Sequence, residues 1–151
     1  MRRFNTSDRE RLAMNAWVKL ARAAGTVGGR LARWLAAADL TESQFGVLDA
    51  LHHLGPMHQC DLARKILRTT GNVTLVVDNL EKRGLVCRVR REDDRRFIQV
   101  ELTTVGEQLI RRVFPQHADA VATELGALAG DELRQLTQLC RRLAAGPEQN
   151  D

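Results

Sequence analysis

The 151 residues suit one compact domain with a core of its own and leave no room for two large independent ones. With 44% hydrophobic and 28% charged residues the composition lies outside the disordered class, and no apolar run approaches the roughly 18 residues of a membrane-spanning helix. A net charge of +4 and a pI near 9.5 admit a polyanionic partner but do not demand one.

The polar start MRRFNTSDRER lacks the apolar core of a secretory signal, so a cytoplasmic protein is expected. From Ser7 or Asp8 to about Ala37, Leu12, Ala16, Leu20, Ala23, Val27, Leu31 and Trp34 recur at steps of three and four. This is the stripe of a long first helix, with Gly25 and Gly28-Gly29 as places where it could loosen. Thr41-Glu-Ser-Gln44 has the form of a capping box and opens a second helix, which Gly55-Pro56 ends after Leu54. A short helix follows from about His58 to Leu67, with Leu62, Ala63 and Ile66 inward. Arg68-Thr-Thr-Gly-Asn72 reads as a turn in which Thr69 or Thr70 caps the next helix.

In that next helix Val73, Val76, Val77 and Leu80 fall at i, i+3, i+4 and i+7 and face the core, while Gly71, Thr74, Leu75 and Asp78 point away. Lys82-Arg83 suit the negative end of its dipole and Gly84 is its stop. The period then becomes two. Leu85, Cys87 and Val89 alternate with Val86, Arg88 and Arg90, and Ile98, Val100 and Leu102 alternate with Gln99 and Glu101, giving two strands around a polar tip at Glu92-Asp93-Asp94. Thr104-Val-Gly-Glu107 reads as a second capping box, opening a helix through Leu109, Ile110, Val113, Val121 and Leu125 that Pro115 is expected to kink or interrupt. A final helix from about Asp131 carries Leu136, Leu139, Cys140 and Leu143 on one stripe.

Charge is concentrated in the middle of this chain. Arg64 to Arg96 holds ten basic residues against five acidic ones, a net +5 that leaves the rest of the protein at about −1. Two short helices, a tight turn and a basic two-stranded hairpin form the order of a winged helix-turn-helix, in which the second helix enters the major groove of DNA. The expected fold is mainly α with a small β-hairpin wing.

The chain resembles the MarR family of bacterial transcriptional regulators along Asp61-Leu62-Ala63, Thr74 through Val86 (TLVVDNLEKRGLV), Asp94-Arg95-Arg96 and Leu102-Thr103-Thr104-Val105-Gly106, and the resemblance spans nearly the whole sequence. It implies a single domain over 1–151, with a winged helix-turn-helix lobe over 41–103 between N- and C-terminal helices, 8–37 and 104–145, that together make a homodimer. GNVTLVVDNLEKRGLV is especially similar to members that sense phenolic or quinone compounds.

The expected partners are therefore double-stranded DNA carrying a pseudo-palindromic operator, a second copy of the chain and a small aromatic effector. Neither a membrane nor a cofactor is expected. The candidate DNA contacts are Arg68, Thr69, Thr70, Asn72, Thr74 and Leu75 around the second helix of the motif, where short donors at a helix N-terminus can reach base edges and phosphates and Leu75 can meet a thymine methyl. In the hairpin they are Arg90, Arg91 and Arg95. By resemblance, Arg95 takes the wing-tip role in the minor groove, while Asp94 with Arg96 braces the wing. Guanidinium suits a narrow minor groove because it is weakly hydrated and the potential there is concentrated.

Trp17, Trp34, Phe45 and His52 are candidates to line a ligand pocket, with ordinary core packing as the alternative. Cys60, beside His58 at a helix start, is a candidate redox switch or an idle thiol, and Cys87 and Cys140 read as small core residues. The family's peroxide-sensing members carry a cysteine early in the first helix, where this sequence has none. No phosphate loop, GxSxG, paired catalytic carboxylates, HExxH or CxxC appears, so neither an enzyme nor a metal site is expected. The leading reading is a homodimeric repressor released by a small aromatic ligand. Its rivals are a repressor triggered by oxidation of Cys60 and a sequence-indifferent architectural DNA binder.

Overall fold

A computed structural model describes residues 7–66, 70–90 and 98–146 of the protein. The elements run α1 (Asp8–Ala37), α2 (Glu42–Leu54), β1 (Met57–His58), α3 (Gln59–Lys65), α4 (Thr70–Lys82), β2 (Val86–Arg90), β3 (Ile98–Leu102), α5 (Thr104–Glu124) and α6 (Gly130–Ala145). Two helix starts form the reciprocal caps that their sequences specify. Ser7 accepts from the Glu10 amide while the Glu10 carboxylate accepts from the Ser7 amide, and Thr41 and Gln44 repeat the exchange at α2. Gly84 (φ +67°) closes α4. Its amide donates to Glu81 O and that of Leu85 to Leu80 O, and the Leu80 and Leu85 side chains are both buried at this turn.

The core joins the end of α1 to the small lobe. Leu35, Leu48, Leu62, Val73, Val77, Leu80, Val86, Val100 and Ile110 are almost wholly buried together. The sheet is antiparallel in the order β1-β3-β2, with Arg88 opposite Val100 and Met57 also opposite Val100 on the other edge of β3. Outside this lobe the helices are bare. Along α1 only Leu35 is buried, and Leu12 and Trp17 are 72% and 67% exposed. No residue of α6 is buried, and its Leu143 is 67% exposed.

Several sequence expectations are corrected. The stretch before the third helix contributes β1, a two-residue strand unseen in the periodicity because it exists only by pairing with β3. The core-facing side of β2 is that of Val86 and Arg88, which stand opposite Leu102 and the buried Val100, while Cys87 and Val89 lie on the other face. Cys87 is consequently not a core residue. It lies half-buried on the other face, 3.7 Å from Glu101 Oε1, and burial and that carboxylate together push its thiol pKa up. Cys140 is exposed rather than buried.

The cap of α5 is Thr103, not Thr104. Its hydroxyl accepts from the Gly106 amide, and Glu107 turns instead to Arg111 and His52. The α5 helix also continues through Pro115. The proline is exposed, so water can satisfy the carbonyl its ring leaves unpaired, and packing of Ile110, Val113 and His117 holds the helix on both sides. Likewise, α1 is unbroken through Gly25, Gly28 and Gly29. Among the described residues no helix is long and apolar enough to cross a membrane.

Candidate nucleic-acid interface

The α4 helix is amphipathic in the sense the sequence requires. Val73, Val77 and Leu80 are buried, while Gly71 and Asn72 are exposed, Leu75 is two-thirds exposed and Thr74 is half-buried. The first turn, beginning at Thr70, contains no acidic residue to offset the positive end of the helix dipole. A Cβ built on Gly71 meets nothing within 4 Å, so the surface at that start is open. These features give α4 an N-terminal face suited to a polyanion. Arg68 and Thr69 lie outside the described residues.

Beside α4 stands the β2-β3 hairpin. Arg90 is exposed at its far end, paired with Ile98. Arg91, Asp94, Arg95 and Arg96 lie outside the described residues.

The tertiary structure reduces the count of cations available to DNA. Arg88 is turned inward. Its guanidinium donates to Asp78 Oδ1 at 2.6 Å, Glu81 Oε2 at 2.5 Å and Gln59 Oε1 at 3.3 Å, and its own amide donates to Glu81 Oε1 at 3.0 Å. Burial works against the charge of Arg88, but the bonds to Asp78 and Glu81 outweigh it and hold its pKa above the ordinary arginine value. Arg83 is held 2.9 Å from Asp39 and Arg64 3.1 Å from Asp61. Lys65, Lys82 and Arg90 have no ion-pair partner among the described residues. The same contacts account for Asp78 on the outward side of α4: its charge is neutralised within the lobe. The signal for the cluster was present in the sequence as two carboxylates three residues apart, followed by an arginine at the third position of the next strand. The position of Arg88 decides between salt bridge and DNA contact only once the inward face of β2 is known.

The four residues named for a ligand pocket do not form one constellation in a single chain. Trp34 and Phe45 meet across His117, with ring centroids 5.5 Å and 4.3 Å from the imidazole. His52 lies 3.1 Å from the Glu107 carboxylate, tying α2 to α5. Trp17 is 17 residues before Trp34, about 25 Å along the axis of α1. Two open clefts among the described residues are of comparable size. One, of about 440 Å³, lies along α2 against the end of α3 and is lined by Asp49, His53, Lys65 and Ile66 among others; the second, of about 480 Å³, lies between α1 and α5 and includes Trp34.

His117 was not singled out by sequence, having no motif around it. Desolvation lowers its pKa below the ordinary 6.5, with Asp49 and Glu42 opposing the shift, and its buried Nδ1 has no hydrogen-bond partner. The unfolded chain therefore takes up a proton at a higher pH than the folded one. The stability contributed by neutral His117 is present above pH 6.5 and is lost as pH falls from there through the lowered folded value. Melting temperature is expected to drop over that window in the wild type and to drop less in His117→Gln. Parallel pH profiles for the two proteins would refute this account.

A helix-turn-helix of α3 and α4 flanked by a β2-β3 wing defines a winged-helix DNA-binding protein. Comparison with known proteins places it further. Residues 40–98 match the model of the MarR family. The chain is 32% identical to the uncharacterized HTH-type transcriptional regulator YkoM of Bacillus subtilis, over 92% of this chain and 90% of that one. Among solved structures it is similar to Sco3205, a MarR family transcriptional regulator of Streptomyces coelicolor solved in complex with DNA, with a TM-score of 0.82 and 25% identity over 99% of this chain and 94% of that one. It is also similar to Bordetella bronchiseptica BpsR, whose DNA binding is regulated by 6-hydroxynicotinic acid, with a TM-score of 0.78 and 25% identity over 86% of this chain and 98% of that one. The chain belongs to the MarR family of transcriptional regulators and is a DNA-binding protein.

Proposed function

We propose that the protein is a homodimeric repressor that binds a pseudo-palindromic operator and is released by a small aromatic ligand of phenolic or quinone type. The observation that carries this reading is the start of α4: an acid-free first turn, an open surface at Gly71, and Asn72, Thr74 and Leu75 on the side away from the core. Each protomer presents one such helix, and two of them about 34 Å apart would read successive major grooves on one side of the duplex. In this reading residues 41–103 are the DNA-binding lobe. Thr70, Asn72, Thr74 and Leu75 contact DNA, aided by Arg68 and Thr69, with Arg90, Arg91 and Arg95 along the wing and Asp94 and Arg96 bracing it. The helices over 8–37 and 104–145 supply the dimer, whose partner would cover the bare apolar stripes of α1 and α6.

Ligand control has a geometric basis. A small aromatic molecule lodged where α2 meets α1 and α5, near Trp34, Phe45 and His52, would bias the spacing of the two recognition helices and weaken both contacts together. The aromatic effector of BpsR supports the ligand class. Footprinting on DNA flanking the protein's own gene, with and without phenols and quinones, tests the reading. It expects a two-part footprint that fades with ligand in both the wild type and Cys60→Ser. A footprint lost only on oxidation, and only while Cys60 is present, would replace the ligand by the exposed thiol. In the same assay Asn72→Ala is expected to cost about 1 to 3 kcal/mol on the operator and much less on random DNA. Equal losses on both duplexes would point to a sequence-indifferent binder.

A further inference from the structure

Thr74 does not stand on α4 unsupported. Gln59, the first residue of α3, donates from its carboxamide nitrogen to Thr74 Oγ1 at 2.5 Å, and its carboxamide oxygen accepts from Arg88 Nη2 at 3.3 Å. These two bonds are chemically linked. A carboxamide has one accepting end and one donating end, and a guanidinium can only donate. Arg88 therefore determines which way the Gln59 amide faces: oxygen toward the strand, nitrogen toward α4. Arg88 is itself held from two sides by Asp78 and Glu81, so the orientation passes from a fixed charge cluster through Gln59 to the hydroxyl of Thr74. Threonine in a helix divides between two side-chain rotamers, and a donor placed at its oxygen favours one of them. A side chain ordered before DNA arrives loses less conformational freedom on binding.

We propose that Gln59 and Arg88 are positioning residues for sequence reading: Arg88 orients the Gln59 carboxamide, and Gln59 holds Thr74 in the rotamer that meets the base edge. Neither residue needs to touch DNA. This rests on the reading above that the outward face of α4 reads sequence. The device links α3, α4 and β2, so the recognition helix and the base of the wing are registered against each other by one side chain from each element.

The test uses a duplex selected from a random library by the wild-type full-length protein, together with its set of single-base-pair substitutions and an unrelated duplex, all at one salt concentration. Thr74→Val should relax preference at one base-pair position of each half-site. Gln59→Met, which is neutral and has no donor, should relax the same position by about 3- to 10-fold, the scale of one neutral hydrogen bond, with little change on the unrelated duplex. Gln59→Glu can still accept from Arg88 and can accept from the Thr74 hydroxyl in place of donating to it, so it keeps a reversed bond and should relax the position less than Gln59→Met does. Arg88→Lys keeps a cation beside Asp78 and Glu81 without the planar fork. It should relax that position too, and add nothing there in a Gln59→Met background.

In a Thr74→Val background the Gln59 substitutions should have no further effect at that position. A merely structural role predicts a different pattern, with weaker binding to every duplex alike. Uniform weakening, or an unchanged profile in Gln59→Met while Thr74→Val relaxes it, overturns the positioning role. An unchanged profile in Thr74→Val sinks the reading of α4 itself, and the proposal with it.

Discussion

Gly106→Ala is expected to destabilise the protein by about 3 kcal/mol or more, the upper range for forcing extra volume into a packed interior. A Cβ at Gly106 would lie 1.9 Å from the Leu85 carbonyl oxygen, 2.9 Å from the Leu85 carbonyl carbon and 3.2 Å from Leu102 Cδ2. The first two are backbone atoms, so no rotamer change relieves the clash. Nor can the Leu85 carbonyl move freely, since it accepts from the Thr103 amide at 3.1 Å. Thr103 in turn donates its hydroxyl to Gly84 O at 2.6 Å and accepts from the Gly106 amide at 3.1 Å. The end of α4, the start of β2, the end of β3 and the start of α5 therefore meet at one backbone joint. For a domain whose whole stability is on the order of 5 to 15 kcal/mol, that loss is severe. Gly71→Ala is the matched control: its Cβ meets nothing, and alanine in that helix should be neutral or stabilising by up to about 1 kcal/mol. Denaturant melts of the two variants decide the matter, and a Gly106→Ala midpoint close to wild type would show that the joint yields.

Leu139→Asp combined with Leu143→Asp is expected to leave the fold of each chain intact and to abolish tight operator binding. Within one chain these side chains are 46% and 67% exposed and α6 buries nothing, so placing carboxylates there costs the protomer little. In the proposed dimer the same positions lie against a partner, where an unpaired carboxylate is expensive to desolvate. Half-sites read one at a time forgo the gain from tethering two binding events, so operator affinity should fall about 100-fold or more. Sedimentation should report a monomer, while the melting temperature should no longer depend on protein concentration. A double variant that remains dimeric, or a monomer that binds the operator as tightly as the wild type, would remove α6 from the dimer interface.

What the sequence determined by itself is the part of the fold written in local chemistry. The stripe of α1, the reciprocal cap at Thr41, the stop at Gly84, the inward valines of α4 and the period-two runs of β2 and β3 depend on neighbours within a few residues. Each appears with bounds close to those expected. The class of protein followed, because the order of helices and hairpin is itself local information. Tertiary structure decided whatever depended on distant residues. Met57 and His58 form a strand only because β3 offers them an edge. Thr103 rather than Thr104 caps α5 because its hydroxyl also reaches Gly84 O across the joint. The α5 helix survives Pro115 because packing before and after it outweighs one missing bond.

The site divided in the same way. Gly71 and Leu75 were legible as outward residues from helical periodicity alone. Arg88 counts among the ten basic residues between Arg64 and Arg96 yet turns toward Asp78 and Glu81, because a strand's alternation shows that two faces exist without showing which one meets the core. His117 carried no pattern at all. It acquires a shifted pKa only when α1, α2 and α5 bring Trp34, Phe45 and Asp49 around it, since desolvation is a property of the assembled packing and not of the residue.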